Sequence, residues 1–192
     1  MIRLGLCGAH RVGKTTLARA FSEKAGIKFL PTSVSGIATN LGLDVSKPIE
    51  PKERNLLQTE IFEDFSNQFR TKGSWVTDRT PFDALAYSYL EYPDTAIEYQ
   101  KFLQSALSQL CHFTHLVYIP PAIRFQSAEG KQDAGLHTQS KLDFLLSGLL
   151  SRYLELSTFR IGQPLLFRMS PSSVDLEDRL TELQEFTQLY WS

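Results

Sequence analysis

The segment from residue 8 to residue 15 constrains the fold of this chain more than any other part of the sequence. It matches G-x-x-x-x-G-K-[ST], the pattern of loops that cradle phosphate groups. The glycines let the backbone curl so that successive N–H groups point towards one anion. Lys14 can reach the β- and γ-phosphates of a nucleoside triphosphate, and the Thr15 hydroxyl can coordinate Mg²⁺. We therefore predict a triphosphate site made of Gly8, Ala9, His10, Arg11, Val12, Gly13, Lys14, Thr15 and Thr16.

The residues on either side of this phosphate loop (residues 8–15) support the match. Residues 2–7 form a short, mostly apolar run, which predicts a buried strand. After the loop, Leu17, Ala18 and Phe21 recur at helical spacing and predict an amphipathic helix. Strand, loop and helix thus follow in the order that the pattern requires, and the positive end of the helix dipole adds to the attraction for an anion.

Four further apolar runs predict four more strands, at residues 28–30, 74–77, 115–119 and 164–169. Helical spacing of apolar residues predicts the helices between and after them, near residues 53–70, 82–90, 95–110, 142–153 and 176–186. This alternation predicts an α/β fold, the P-loop NTPase three-layer sandwich, with a mostly parallel five-stranded sheet and helices on both faces. We expect one domain over residues 1–192, with ligands beyond the carboxyl ends of the strands.

Composition narrows the range of partners. The chain has 192 residues, 42% hydrophobic and 21% charged, as is ordinary for a globular protein. A net charge of −1 argues against a polycation built to bind nucleic acid. The two cysteines, Cys7 and Cys111, make no disulfide framework, and no apolar run approaches the ~18–20 residues that span a bilayer. We therefore expect a cytoplasmic protein with no membrane partner.

A second group of polar residues follows the third predicted strand. Asp78 and Arg79 come directly after this apolar run, where a carboxylate lies beside the Mg²⁺ of a phosphate-loop site. Thr80, Pro81 and Asp83 suit the N-cap, the first position and the capping box of the next helix, so we interpret Asp83 as structural. Because the start of the helix is already accounted for, we predict that Asp78 and Arg79 face the ligand.

These motifs together resemble a known family. The phosphate loop with its Arg11, then Asp78-Arg79 and then Ala86-Tyr87, resembles the thymidylate kinases and related nucleoside monophosphate kinases. A looser resemblance is to small phosphate-loop kinases encoded by bacterial viruses, which would act in the host cytoplasm. The resemblance implies ATP and Mg²⁺ as cofactors, Arg11 at the γ-phosphate, Asp78 at the metal or the acceptor, and Arg79 on the phosphate of the acceptor.

Two positions depart from the thymidylate kinase pattern. His10 stands where that family commonly has an acid that grips the 3′-hydroxyl of the acceptor sugar, so the resemblance places His10 on the acceptor side. Thr80 replaces the aromatic residue that follows Asp-Arg in the family. Both departures argue against thymidylate itself as the acceptor.

The segment between the fourth strand and the following long helix, residues 121–140, has the composition of a lid. It contains Arg124, Lys131 and two glycines, with few large apolar residues. Kinases of this class close a lid over the phosphates because water is a competing acceptor. We predict that Arg124 supplies catalytic positive charge and that Lys131 assists it. The alternative is a solvated loop with scattered charges.

Residues 31–60 should form the acceptor side of the site. Thr32 and Ser33 follow the second strand with a cluster of hydroxyl groups. Arg54 and Gln58 lie four residues apart on one face of a predicted helix. We predict that Gln58 pairs with the edge of a base and that Arg54 reaches a phosphate, the alternative being that they are exposed polar residues.

The sequence thus predicts an ATP- and Mg²⁺-dependent phosphotransferase, with a small (deoxy)nucleoside monophosphate as the first choice of acceptor. One alternative is a kinase that phosphorylates a hydroxyl group, on a free nucleoside or on a hydroxymethylated base such as 5-hydroxymethyluracil in phage DNA. The near-neutral charge argues against a DNA acceptor. An alternative from another class is an ATPase or GTPase switch. GTP as the donor and a homodimeric state both stay open.

Overall fold

A computed structural model of the protein describes residues 1–45, 47, 49–91, 96–122, 135–157 and 163–188. Within these ranges the chain forms five strands, β1 to β5 in chain order, at Arg3–Cys7, Lys28–Leu30, Trp75–Thr77, His115–Tyr118 and Leu165–Arg168. The same ranges contain seven α-helices, α1 to α7 in chain order, at Lys14–Ala25, Val34–Asn40, Pro51–Gln68, Pro81–Glu91, Ala96–Gln109, Leu136–Ser157 and Leu176–Gln188. A 3₁₀ turn at Leu110–His112 extends α5.

The five strands form one sheet in the order β2-β3-β1-β4-β5. Every pairing is parallel, so the sheet is parallel throughout rather than mostly parallel as predicted. The central strand is β1, in which Leu4 pairs with Val76 on one side and with His115 on the other. All five carboxyl ends therefore lie along one edge, where the predicted ligand-binding loops meet.

The helices form layers on both faces of this sheet, which confirms the predicted architecture. On one side α1 packs against β1, β2 and β3 and against α7. A second group contains α3, α4, α5 and α6, in which α4 contacts each of the other three. Among the described residues, no helix combines the length and the apolar character needed to cross a bilayer.

One short helix and the start of a long helix differ from the sequence-based expectation. The sequence-based prediction did not include α2, because this helix is only seven residues long, although Val34, Ile37, Ala38 and Leu41 do lie at helical spacing and pack in or against the core. The helix α6 begins at Leu136, since the Gly135 carbonyl already accepts hydrogen bonds from the N–H groups of Thr138 and Gln139. Residues 136–140, which we had assigned to a lid loop, are thus helical. Arg124 and Lys131 lie outside the described residues.

An aromatic cluster fills the core beneath the amino-terminal half of β1. Phe69 stacks on Trp75 with ring centroids 5.6 Å apart, and Phe113 meets both rings edge-on. Gly5 lies directly against this cluster. A Cβ atom at Gly5 would lie 2.6 Å from Cε1 of Phe113 and 2.7 Å from Cγ2 of Thr80. The absence of a side chain at Gly5 therefore lets helix α4 and the aromatic cluster pack closely on the central strand.

We expect Gly5→Ala to lower the free energy of unfolding by about 1–3 kcal/mol, because neither the enclosed Phe113 ring nor Thr80 has room to retreat. Gly148→Ala in α6 is the matched control, since a Cβ there meets no described atom within 4 Å. An alanine at this helical position should raise stability by roughly 0.5–1 kcal/mol. Urea denaturation of both variants measures the difference, and equal effects would contradict the packing described for Gly5.

Candidate active site

The phosphate loop joins the end of β1 to the start of α1 through a tight turn. Gly13 is the N-cap of α1 and has a φ of 87°, in the left-handed region that favours glycine. Arg11 also has a positive φ, of 60°, which is uncommon for a residue with a side chain. Gly8 lies close to the residue that follows β4, since a Cβ atom on Gly8 would lie 2.5 Å from the carbonyl oxygen of Ile119. Both glycines of the pattern are therefore needed by the backbone.

Lys14 lies folded back over the start of the loop. Its Nζ donates hydrogen bonds to the carbonyl oxygens of Gly8, at 2.5 Å, and Ala9, at 2.8 Å. The side chain is 12% exposed, and Oδ1 of Asp83 lies 3.6 Å from Nζ. Burial lowers the pKa of Lys14, and the negative charge of Asp83 partly opposes that shift. The lysine is thus held inside the loop by two carbonyl groups and a buried counter-ion.

Thr15 and Asp78 meet at the carboxyl edge of the sheet. The Thr15 hydroxyl donates a hydrogen bond to Oδ2 of Asp78 at 2.5 Å, and the Thr32 N–H donates to Oδ1 of Asp78 at 3.4 Å. A hydroxyl and a carboxylate are oxygen ligands of the kind that Mg²⁺ accepts, together with water and phosphate oxygens. Among the described residues no group of three or more His, Cys, Asp or Glu could hold a metal ion. The pair therefore suits Mg²⁺ bound largely through a nucleotide.

Arg79 extends along α4 from the end of β3. Its guanidinium carbon lies 5.4 Å from the ring centroid of Tyr87, which is a cation–π contact. The positive charge of Arg79 contributes to lowering the pKa of Lys14, after the larger effect of burial. The two cations thus act on the same region. We refer to Asp78 and Arg79 together as the Asp-Arg corner.

Two of the predicted acceptor residues carry buried polar atoms with no partner. Oγ1 of Thr32 and Oε1 of Gln58 make no hydrogen bond to any described residue. Gln58 is only 4% exposed. Leaving a buried polar group unpaired costs free energy, and such groups in folded proteins call for an explanation. A ligand that donates hydrogen bonds to these two oxygens would explain why they are buried. Thr32 already contacts the Asp-Arg corner, because its N–H donates a hydrogen bond to Asp78.

Two further residues predicted for the acceptor side, Ser33 and Arg54, have local structural partners. The Ser33 hydroxyl accepts a hydrogen bond from the N–H of Gly36 at 3.0 Å and caps α2. Nε of Arg54 donates to the carbonyl oxygen of Ile49 at 2.6 Å, just before α3. The structure therefore brings Thr32 to the Asp-Arg corner but ties Ser33 and Arg54 to the ends of their own helices.

Two late helices brace the phosphate loop, and the sequence pattern did not single out either contact. Nε2 of Gln139, in α6, donates to the carbonyl oxygen of His10 at 2.9 Å. In α7, the guanidinium of Arg179 donates to the carbonyl oxygens of Val12 and Ser173, both at 2.7 Å. Arg179 is only 2% exposed. In the sequence, Arg179 is distinguished as the one basic residue of α7, whose other charged residues are acidic. The residues around it in the chain do not indicate which group it contacts.

Asp83 has a second set of contacts beyond the helix cap that we predicted for it. Its Oδ2 accepts hydrogen bonds from the Thr80 N–H, at 2.9 Å, and from the Thr80 hydroxyl, at 2.8 Å. Its Oδ1 accepts one from the N–H of Gly8 at 3.2 Å and faces Lys14. The interpretation of Asp83 as a capping residue was therefore incomplete, because its carboxylate also contacts the phosphate loop.

Several solved structures share this fold over nearly the whole chain. A deoxyadenosine kinase from M. mycoides matches with a TM-score of 0.66 at 13% identity, over 97% of this chain and 98% of that one. The YorR protein from Bacillus subtilis matches with a TM-score of 0.57 at 12% identity, over 97% and 95%. A shikimate kinase from Aquifex aeolicus matches with a TM-score of 0.57 at 15% identity, over 97% and 96%. No protein-family model and no curated protein matches the sequence. The chain therefore has the fold of the P-loop kinases.

We expect Arg179→Met to lower the free energy of unfolding by about 2–3 kcal/mol, because it leaves two buried carbonyl groups without their charged donor. It should also weaken nucleotide binding, since the Val12 carbonyl is part of the phosphate loop. Arg70→Met is the control, because Arg70 is exposed. Urea denaturation measures the effect, and equal stability of the two variants would show that Arg179 does not brace the loop.

Proposed function

We propose that this protein is an Mg²⁺-dependent phosphotransferase that moves the γ-phosphoryl group of ATP to a small nucleoside-class acceptor. The observation that carries the proposal is the meeting of Thr15 with Asp78, whose side-chain oxygens lie 2.5 Å apart although 63 positions separate them in the chain. Thr15 directly follows Lys14 in the phosphate loop, so Asp78 is brought to the same loop. The shared fold with nucleoside and shikimate kinases supports the same class of chemistry.

Each residue of the site has a distinct role in this proposal. Thr15 and Asp78 would hold Mg²⁺, which supplies charge neutralisation to the transferring group when bound. Lys14 and the backbone of the phosphate loop bind the β- and γ-phosphates, with Arg11 at the γ-phosphate. Phosphoryl transfer needs placement and positive charge more than covalent help from the protein. Arg124 and Lys131 keep their proposed place as lid cations.

We propose a (deoxy)nucleoside monophosphate as the first choice of acceptor. Arg79 supports this choice, because it carries positive charge beside Lys14 and Tyr87 restrains its guanidinium. The unpartnered oxygens of Thr32 and Gln58 suit the sugar and the base of such a ligand. The M. mycoides deoxyadenosine kinase was solved with dCMP and dCDP bound as products, so a kinase of this fold holds nucleotides of this size.

A free nucleoside is the second candidate, and one observation favours it. One of the solved kinases that share this fold over 97% of the chain is named for a nucleoside, deoxyadenosine. His10 in place of the acid of the thymidylate kinases suits instead an acceptor whose 3′ oxygen is esterified, as in DNA. A DNA acceptor, a homodimer and a cytoplasmic location stay predictions from the sequence.

A screen with labelled ATP separates these acceptors. Purified protein is incubated with Mg²⁺ and labelled ATP, and in a second series with labelled GTP. The acceptors are nucleosides, the common monophosphates, and DNA containing 5-hydroxymethyluracil. Labelled product from a monophosphate supports the first choice, and labelled product from a nucleoside supports the second. Hydrolysis that no acceptor stimulates would favour a switch or ATPase, and Lys14→Ala is the inactive control.

We expect Asp78→Asn to lower kcat by at least about 100-fold, because the Mg²⁺ that neutralises the transferring phosphoryl group loses its carboxylate ligand. The affinity for ATP should change much less, since Lys14 and the loop remain. Asp64→Asn in α3 is the control, because the one hydrogen bond of the Asp64 carboxylate seen among the described residues is to Gln68 in its own helix. Calorimetry with ATP and steady-state kinetics measure the two quantities. A variant that merely unfolds at a lower temperature would assign Asp78 a structural role.

We expect Arg79→Ala to raise the KM for a monophosphate acceptor about tenfold or more, because a charge-assisted hydrogen bond to phosphate is lost. The KM for a nucleoside should stay near its original value. Arg19→Ala is the matched control, since Arg19 also lies over an aromatic ring, that of Phe29, on the surface of α1. Equal KM values for monophosphate in wild type and Arg79→Ala would count against a phosphorylated acceptor at this position.

A further inference from the structure

We infer that Asp83 is a positioning residue that joins the phosphate loop to the Asp-Arg corner and keeps the two halves of the site in register. The inference rests on the proposed phosphotransfer function and deepens it. It arises from the different partners of the two carboxylate oxygens, since one contacts the loop and the other contacts the start of α4. Asp83 reaches the reaction only through these neighbours.

A capping role alone does not account for the surroundings of Asp83. The cap uses only Oδ2, which accepts two hydrogen bonds from Thr80. A carboxylate that serves as a cap can remain at the surface, yet Asp83 is only 1% exposed. Burying a carboxylate is costly unless it is paired and hydrogen-bonded. Here the loop provides that compensation, through the Gly8 N–H at 3.2 Å and the Lys14 ammonium at 3.6 Å.

The contacts of Asp83 and Lys14 hold the first residue of the loop from both sides. Asp83 accepts from the N–H of Gly8, while Lys14 donates to the carbonyl oxygen of the same residue. Two polar side chains thus fix the orientation of consecutive peptide groups at the point where β1 turns into the loop. The same two side chains form an ion pair, so neither can move without disturbing the other.

These contacts continue to the Asp-Arg corner and return to the loop. Asp83 holds Thr80, which lies two residues after Asp78, and Asp78 accepts a hydrogen bond from Thr15, the neighbour of Lys14. The donor side and the metal side of the site are therefore linked at two places, by Thr15 with Asp78 and by Gly8 with Asp83. Without the contact between Gly8 and Asp83, the two sides would be joined by Thr15 and Asp78 alone and could rotate about that contact.

The expected consequence is a loss of turnover with donor binding retained. The loop amides and Lys14 remain available to bind phosphates when Asp83 is changed. The alignment of the Asp-Arg corner with the bound donor would relax, and a misplacement of about 1 Å can lower a rate roughly 100-fold. A residue that only stabilises α4 would instead change the melting temperature and leave the kcat of the folded protein unchanged.

Three variants separate these roles. Asp83→Asn keeps the size of the side chain. Its NH₂ group, which cannot accept a hydrogen bond, must however face either Gly8 and Lys14 or Thr80, which donate to the carboxylate in the wild type. Asp83→Glu keeps the charge, and a glutamate three residues after a threonine N-cap still forms a capping box, so this variant should fold. Its extra methylene group must displace neighbouring atoms, because Asp83 is only 1% exposed. Thr80→Val is the matched control, because it removes the hydroxyl that donates to Oδ2 and leaves the Thr80 N–H, which keeps the same oxygen linked to the start of α4.

The measurement is kcat for ADP formation from MgATP, with the four common deoxynucleoside monophosphates together and with water as the only acceptor. The affinity for MgADP is measured by calorimetry. We expect kcat to fall at least about 30-fold in Asp83→Glu and Asp83→Asn, with the Kd for MgADP within about threefold of wild type. Thr80→Val should lower the melting temperature and keep kcat within about threefold of wild type.

The inference is overturned if Asp83→Glu turns over like wild type, or if its kcat matches that of Thr80→Val. It is also overturned if kcat and MgADP affinity fall together, because Asp83 would then shape the loop for binding. If Asp83→Asn does not fold, Asp83→Glu decides. A wild type that forms no ADP under either condition refutes the proposed function and this inference with it. Hydrolysis without acceptor stimulation refutes the acceptor class alone, and Asp83 is then judged on that reaction.

Discussion

The central place of β1 in a parallel sheet determines which side chains can meet in this protein. With β3 on one side and β4 on the other, the segments that follow these three strands converge at one edge. The phosphate loop leaves β1, the Asp-Arg corner leaves β3, and the backbone after β4 closes on Gly8 through Ile119. The meeting of Thr15 with Asp78 follows from this topology, since parallel neighbours end at the same edge.

A loop whose backbone groups are directed at a ligand rather than at each other needs rigid support. This protein supplies that support with polar side chains from three helices, namely Asp83, Gln139 and Arg179. Each satisfies a backbone group of the loop, and all three are almost fully buried. A buried, fully bonded polar group favours one geometry strongly, since any displacement leaves an unpaired donor or acceptor.

The acceptor side has the opposite character. Oγ1 of Thr32 and Oε1 of Gln58 are buried without a partner among the described residues, whereas the loop carbonyls of His10 and Val12 have theirs. The phosphate loop is thus held by the protein itself, and the residues proposed for the acceptor side leave hydrogen-bonding capacity for a ligand.

The features that the sequence predicted correctly are those that depend on residues close together in the chain. The glycine and lysine positions of the phosphate loop, the five strands and the longer helices all leave a pattern within a few residues, and the fold inferred from them is the observed one. The short helix α2 was missed because it is only seven residues long, and the start of α6 was missed because residues 136–140 are mostly polar. The braces from Gln139 and Arg179 lie 129 and 167 positions from their partners, and the second contact of Asp83 joins residues 75 apart. Such contacts arise from the packing of whole helices around the sheet, and no local pattern encodes them.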